Sequence, residues 1–284
     1  MGGETGVGID AALQGDAETF AANRARGRIA LAVAWRAGRT RRTRVHEDGS
    51  LRIRFLNADA DALEAVIVNT GGGMTGGDRF AVDVALEEGA NLVVGTAAAE
   101  KIYRSTGVDG KVNVTLTVGA NAKLAWLPQE TILFDRARLK RRIEIDLADK
   151  ASLLMVEAVV FGRAAMGEAM AEGLFADHWR LRRGGALIFA EATRLDGAIA
   201  AKLAAAASAK GGIAVATVLI APGDAATTYV VRELEAQFAG EVGISAWNGF
   251  ALARLCAKDG AALRHDLILM LAALKTPVPR LWLQ

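Results

Sequence analysis

Most of this chain alternates apolar and polar residues with period two. Val112, Val114, Leu116 and Val118 alternate with Lys111, Asn113, Thr115 and Thr117. Leu51, Ile53 and Phe55 alternate with Arg52 and Arg54, and Ile29, Leu31, Val33 and Trp35 with small alanines. Over residues 137–147, Leu139, Ile143, Ile145 and Leu147 fall on one side and Arg138, Lys140, Arg142, Glu144 and Asp146 on the other. Side chains point to opposite faces along a strand, so this register predicts half-buried strands with a charged outer face. It also assigns the basic run from Arg136 to Arg142 to a strand's solvent side. Turns are expected at Asp48-Gly49, Glu88-Gly89, Asp109-Gly110, Val118-Gly119 and Arg183-Gly184-Gly185. No fixed-period repeat is visible, and alternation alone does not choose between a sandwich and stacked sheets.

Helical period appears late. Residues 196–209 are alanine-rich, with Ile199 and Leu203 one turn apart. Asp224 or Thr227 is placed to cap a helix running to Phe238, with Val230, Leu234 and Phe238 on one face. Asp259 is placed to cap another, whose stripe of Leu263, Leu267, Leu271 and Leu274 ends at Pro277 and suits docking of a partner helix. The expectation is a flexible tail over residues 1–26 and one mainly β domain over residues 27–284, with two or three helices toward the C-terminal half.

Composition narrows the classes. A chain of 284 residues is long enough to bury a substantial core without staples. Its mean hydropathy is +0.24, yet no apolar run reaches the roughly 18 residues of a membrane span. The Gly-, Ala- and acid-rich start does not read as a signal peptide. A net charge of +2 does not announce nucleic acid. The crowded Arg24, Arg26, Arg28, Arg36, Arg39, Arg41, Arg42 and Arg44 have no stacking aromatics among them, which reads as a solvated or partner-facing surface. Cys256 is alone, so no internal disulfide forms and a reducing, cytoplasmic compartment is expected, with Cys256 a small core residue. His46, His178 and His265 show no zinc-ligand spacing.

One glycine-rich turn invites a phosphate reading. Gly71, Gly73 and Gly76 satisfy G-x-G-x-x-G. A dinucleotide loop opens a helix, however, and here Phe80, Val82, Val84 and Leu86 follow with strand period. Asp78 also stands where a P-loop carries positive charge. The turn is therefore expected to be a tight strand–turn–strand whose glycines take positive φ. No nucleophile–base pair, paired carboxylates or metal cluster appears in convincing context, so an enzyme is not expected. Glu157, inside the apolar run from Leu153 to Phe161, calls for a buried partner, and Arg163 or Arg104 is expected to supply it. Asp78 and Glu130 are expected to bond turn amides.

The remaining punctuation is more specific. The glycine-rich turn is followed in order by Glu100-Lys101-Ile102-Tyr103-Arg104-Ser105, Trp126-Leu127-Pro128-Gln129-Glu130-Thr131, Phe161-Gly162-Arg163, Gly167-Glu168, Trp247-Asn248-Gly249 and Pro279-Arg280-Leu281-Trp282. This series, from about Gly27 to Trp282, resembles the urease accessory protein UreD (UreH) family. The resemblance implies stacked, β-helix-like sheets and a non-enzymatic scaffold that joins a helical UreF-type protein, a UreG-type GTPase and apo-urease. It further implies nickel as transient cargo passing through the interior, with no tightly bound cofactor and neither nucleic acid nor membrane as partner. It assigns structural or partner-binding roles to Gly72, Gly73, Gly76, Gly77, Lys101, Tyr103, Arg104, Gly162, Arg163, Trp247, Asn248, Gly249, Arg280 and Trp282. A conduit for a divalent cation needs weak, replaceable oxygens. The candidates within the family-like motifs are Asp78, Thr96, Glu100, Ser105, Gln129, Glu130, Glu157 and Glu168. Two alternatives stay open: a phosphate- or nucleotide-binding enzyme using the glycine-rich turn, and a β-rich interaction protein without a metal role.

Overall fold

Strand after strand of the computed structural model leads straight into a turn and then a further strand on another face. Residues 24–56, 62–276 and 278–283 are described. The chain enters through β1 (Arg26–Arg36), β2 (Arg39–Gly49) and β3 (Leu51–Phe55). It then winds through four coils. The first holds β4 (Leu63–Asn69) and β5 (Arg79–Leu86), and the second β6 (Asn91–Thr96), β7 (Glu100–Ile102) and β8 (Gly110–Val118). The third holds β9 (Lys123–Leu127), β10 (Thr131–Leu133) and β11 (Arg138–Leu147), and the fourth β12 (Ser152–Arg163), β13 (Glu168–Ala169) and β14 (Glu172–Arg183). The remainder is β15 (Ala186–Ala198), α1 (Ile199–Ala204), β16 (Ala214–Ala221), α2 (Ala225–Arg232), β17 (Glu241–Trp247), β18 (Phe250–Ala257) and α3 (Gly260–Ala273).

Stacking the coils makes two broad faces and one narrow one. The first sheet runs β15-β14-β11-β8-β5-β1-β2, parallel from β14 to β1 and antiparallel at both ends. The second runs β17-β18-β16-β12-β9-β6-β4-β3, parallel from β12 to β4. The narrow face pairs β7, β10 and the end of β12 in parallel. The architecture is mainly β and solenoid-like, as the resemblance implied. Parallel pairing stacks like on like. Leu63, Leu92, Leu124 and Leu153 lie in register on the second sheet. Leu31, Val84, Leu116, Ile145 and Leu181 do so on the first. Met74, Ile102, Leu133 and Phe161 line the narrow face. All are buried in one core between the sheets. The repeat was hidden in the sequence because its length varies. Successive leucines of the second sheet are 29, 32 and 29 residues apart. From Val84 onward the first-sheet row steps by 32, 29 and 36.

The helices were located correctly but not bounded correctly. Residues 196–198 are extended, because β15 stays paired with β14 as far as Ala198, and only α1 is helical in that stretch. Tertiary pairing here outweighs the helix propensity of alanine. Asp224 caps α2 in a reciprocal box with Thr227, as expected, but the helix ends at Arg232 instead of Phe238. The Asp266 carboxylate accepts from the amides of Ala239 and Gly240 and fixes the chain in an extended exit toward β17. Asp259 caps α3, whose Leu263, Leu267 and Leu271 are buried on the outer face of the second sheet beside Val156, Ala158 and Val218. Pro277, expected to end this helix, lies outside the described residues, as do residues 1–23 of the expected tail. Arg26 already belongs to β1, and the Ala25 amide donates to Asp78.

Because the leucine row fills the interior of the stack, truncating it should cost far more than truncating an outward residue. Leu124→Ala is expected to lower stability by about 2–5 kcal/mol, read from the urea midpoint at unchanged slope. Thr117→Ala, on the solvent side of β8, should stay within about 0.5 kcal/mol.

Candidate functional site: a charged level inside the solenoid

The glycine-rich loop does not join paired strands. It carries the chain from β4 in the second sheet to β5 in the first, so its flanking strands face each other across the core. Gly72, Gly73 and Gly77 take positive φ as expected. The deeper reason for glycine is close packing. A Cβ on Gly73 would sit 2.5 Å from the Tyr103 ring and 2.7 Å from the Lys101 carbonyl, and one on Gly76 only 2.0 Å from Ser105 Oγ. Asp78 accepts from the amides of Ala25 and Thr75, each at 2.8 Å, and thereby staples the loop to the start of β1.

The eight candidate oxygens divide into two groups. Thr96, Glu100, Gln129 and Glu157 line one cavity of about 100 Å³ between the sheets, walled by Trp126 and apolar rows. Gln129 is held by the Thr96 hydroxyl, which accepts from its backbone amide at 2.9 Å. Glu100 accepts from the Asn69 side-chain amide at 2.9 Å. Burial pushes the Glu100 carboxyl up to about 7, against the opposing pull of the Asn69 side chain and the Lys101 amide. The other four do not line this cavity. Asp78 holds its loop, and the Ser105 hydroxyl donates to the Val108 carbonyl. Glu168 pairs with Arg163 and accepts from the Asp135 amide. Glu130, expected on turn amides, instead takes a two-pronged contact from Arg264 of α3, with Nε at 2.8 Å and Nη2 at 2.5 Å.

Glu157 meets neither Arg163 nor Arg104. Its partner is Arg141, on the opposite sheet. Arg141 Nη1 donates to Glu157 Oε2, while Nε and Nη2 fork onto the Asp177 carboxylate at 3.0 and 2.6 Å. The Trp126 indole donates to Glu157 Oε1 at 2.7 Å. Arg141, Glu157 and Asp177 are each less than a tenth exposed. Arg163 is tied instead to Glu168 and stacks over the Phe134 ring, whose other neighbour is Tyr103, edge-on at 5.0 Å. Burial raises the Glu157 carboxyl, and the Asp177 charge adds to this against the pull of Arg141. Burial also penalises the Arg141 cation, but the two carboxylates outweigh it and leave the guanidinium firmly charged.

Arg141 is the residue that sequence reasoning missed, and the signal was present. It sits between Leu139 and Ile143 at inward positions of β11, so the same alternation that turns its neighbours Lys140 and Arg142 outward turns Arg141 in. In register it continues a row from Phe80 and Val112 to Asp177. The basic run is thus solvent-facing only in part.

The other motif positions are dispersed. Trp247 packs on Phe250 and Phe189 beside the two-residue Asn248-Gly249 turn, where both residues have positive φ. The buried Trp282 indole donates to the Leu127 carbonyl, whereas Arg280, Lys101 and Arg104 are exposed and Gly162 takes positive φ where β12 meets β13. His46, His178 and His265 are exposed on separate elements. Among the described residues no group of three or more His, Cys, Asp or Glu is arranged to hold a metal ion, and no helix is long and apolar enough to cross a membrane.

The model of the UreD urease accessory protein family matches residues 25–283. The chain belongs to that family. It is 57% identical over 268 residues to urease accessory protein UreD 3 of Bradyrhizobium sp. strain BTAi1, covering 94% of this chain and 96% of that one. It is equally similar, at 57% over 268 residues, to the UreD protein of Rhodopseudomonas palustris strain BisB18, covering 94% and 97%. The UreD protein of Bradyrhizobium diazoefficiens matches at 57% over 264 residues, covering 93% and 96%. These relatives are named for an accessory role, not for a reaction.

The raised Glu100 carboxyl has a consequence for stability. With a folded value of about 7 against an ordinary 4.5, the native state holds a proton that the unfolded chain has released. Stability should therefore fall as pH rises from about 4.5 to 7 and level off above, by up to about 3 kcal/mol from this group. Glu100→Gln should remove that part of the slope. Denaturant midpoints of both proteins at pH 5 and pH 8 test it, and parallel curves would contradict the assignment.

Proposed function

We propose that this chain is a non-enzymatic urease maturation scaffold in the cytoplasm, and that nickel crosses its interior on the way to apo-urease. The partners are a helical UreF-type protein, apo-urease and, through the assembled complex, a UreG-type GTPase that supplies any GTP dependence. Nickel is cargo here, not a resident cofactor. The observation that carries the proposal is the cavity between the sheets, which Thr96 and Glu100 of the second coil, Gln129 of the third and Glu157 of the fourth line together. Neutral and carboxylate oxygens hold a divalent first-row cation more loosely than thiolate or imidazole sets, which suits passage over storage. Family membership supports the urease side of the proposal.

The test is co-expression with urease and the other accessory subunits, followed by nickel content and urea hydrolysis of the purified urease. Omitting this chain should leave urease largely empty. Glu100→Ala combined with Gln129→Ala should lower nickel content about tenfold, the effect of roughly 1.4 kcal/mol along the path, with co-purification of partners unchanged. Full loading without the chain would sink the scaffold, and full loading with the double variant would sink the interior route.

A further inference from the structure

The cavity of about 100 Å³ is not the only space between the sheets. A second cavity of about 540 Å³ opens between β14 and β15 on one side and β16 and β18 on the other. The two share just two lining residues, Arg141 and Glu157. These residues come from opposite sheets and are joined by the Arg141 guanidinium, which also forks onto Asp177. The side chain that separates the cavities is therefore a cation, clamped between two carboxylates.

We propose that Arg141 is the gate of the interior path, a tethered cation occupying the place between Glu157 and Asp177 through which a divalent cation must pass. This rests on the interior route proposed above. Glu157 and Asp177 reach inward from facing walls, and the guanidinium meets three of their four carboxylate oxygens. Moving it aside leaves two buried carboxylates with no counter-charge, a costly arrangement that an arriving dication relieves. In the exchange one positive charge leaves the pair of acids and two arrive. The lining of the wide cavity carries Glu157, Asp177, Glu191 and Glu241 against Arg141 and Arg254, and with Lys210 paired to Glu241 the balance is one negative charge, held at the Arg141 triad. Arg254 pairs with Glu191 across the two sheets, a second guanidinium–carboxylate link on the same route. Arg141 has somewhere to lean, because the Phe175 ring lies 5.7 Å from its guanidinium carbon and offers a face to a cation.

The decisive variants are Arg141→Gln and Arg141→Lys of the full chain, co-expressed with its partners. Nickel binding is read by calorimetry and by the shift of the melting temperature with Ni²⁺, with Mg²⁺ as control. With the gate removed or weakened, the two carboxylates are free to take the ion. Both variants should bind Ni²⁺ at least about tenfold more tightly than the unmodified chain and should melt higher in its presence. Adding Glu157→Gln and Asp177→Asn should abolish that gain. A merely structural Arg141 would lower stability without any of these nickel-dependent effects. Should Arg141→Gln fail to fold, Arg141→Lys decides. Nickel affinity unchanged in the folded variants would overturn the gate. A separate block, Val112→Trp, fills the small cavity beside Arg141. Normal urease loading with that block would overturn the interior route itself, whereas impaired loading together with unchanged nickel affinity in the Arg141 variants would overturn the gate alone.

Discussion

Two facing sheets with parallel strands at their centres leave an interior to be filled, and most inward rows of this chain are committed to filling it. Parallel strands lack the short hairpins that would let each pair fold by itself, so the coils hold together by stacking equivalent positions. The rows of leucine, of branched aliphatics and of the Met74–Phe161 face do this with apolar volume. Each fully buried side chain of that kind contributes about 1.5–3 kcal/mol. The remainder of the molecule is fitted around that column. The helix α3 covers the outer face of the second sheet, fixed by Arg264 on Glu130 and, just beyond it, by Trp282 on Leu127.

The departure from this rule lies in the row that runs from Phe80 and Val112 to Arg141 and Asp177. Placing a guanidinium there is tolerable only because Glu157 and Asp177 meet it from both sides. Removing one partner of such a buried group typically costs about 3–5 kcal/mol. A set of apolar residues of similar size would fill the same space at least as well. The charged set therefore makes sense as a feature of what the interior does. It lies where the two cavities meet, with Thr96, Glu100 and Gln129 lining the smaller one, which is where the proposed cation path runs.

Much of this was legible in the sequence. Period-two alternation located the strands, and the caps Asp224 and Asp259 marked true helix starts because their carboxylates have local amides to bond. What escaped was non-local. The coil repeat varies in length, so no period stood out. The partner of Glu157 is 16 residues away on the opposite sheet, and no spacing rule joins them. Asp78 and Glu130 looked alike in sequence, yet one closes a loop and the other anchors a helix 134 residues downstream. Of eight candidate oxygens, the four on the cavity were separable from the rest only once the sheets were stacked.

The most direct test of the central claim is to locate the ion. Crystals of the full chain soaked in Ni²⁺, measured on either side of the nickel absorption edge, give its position from anomalous scattering. The account predicts a peak between the sheets, among the oxygens of Glu100, Gln129 and Glu157. Nickel found solely on the outer surface, at His46, His178 or His265, with the interior empty at saturating metal, would contradict it.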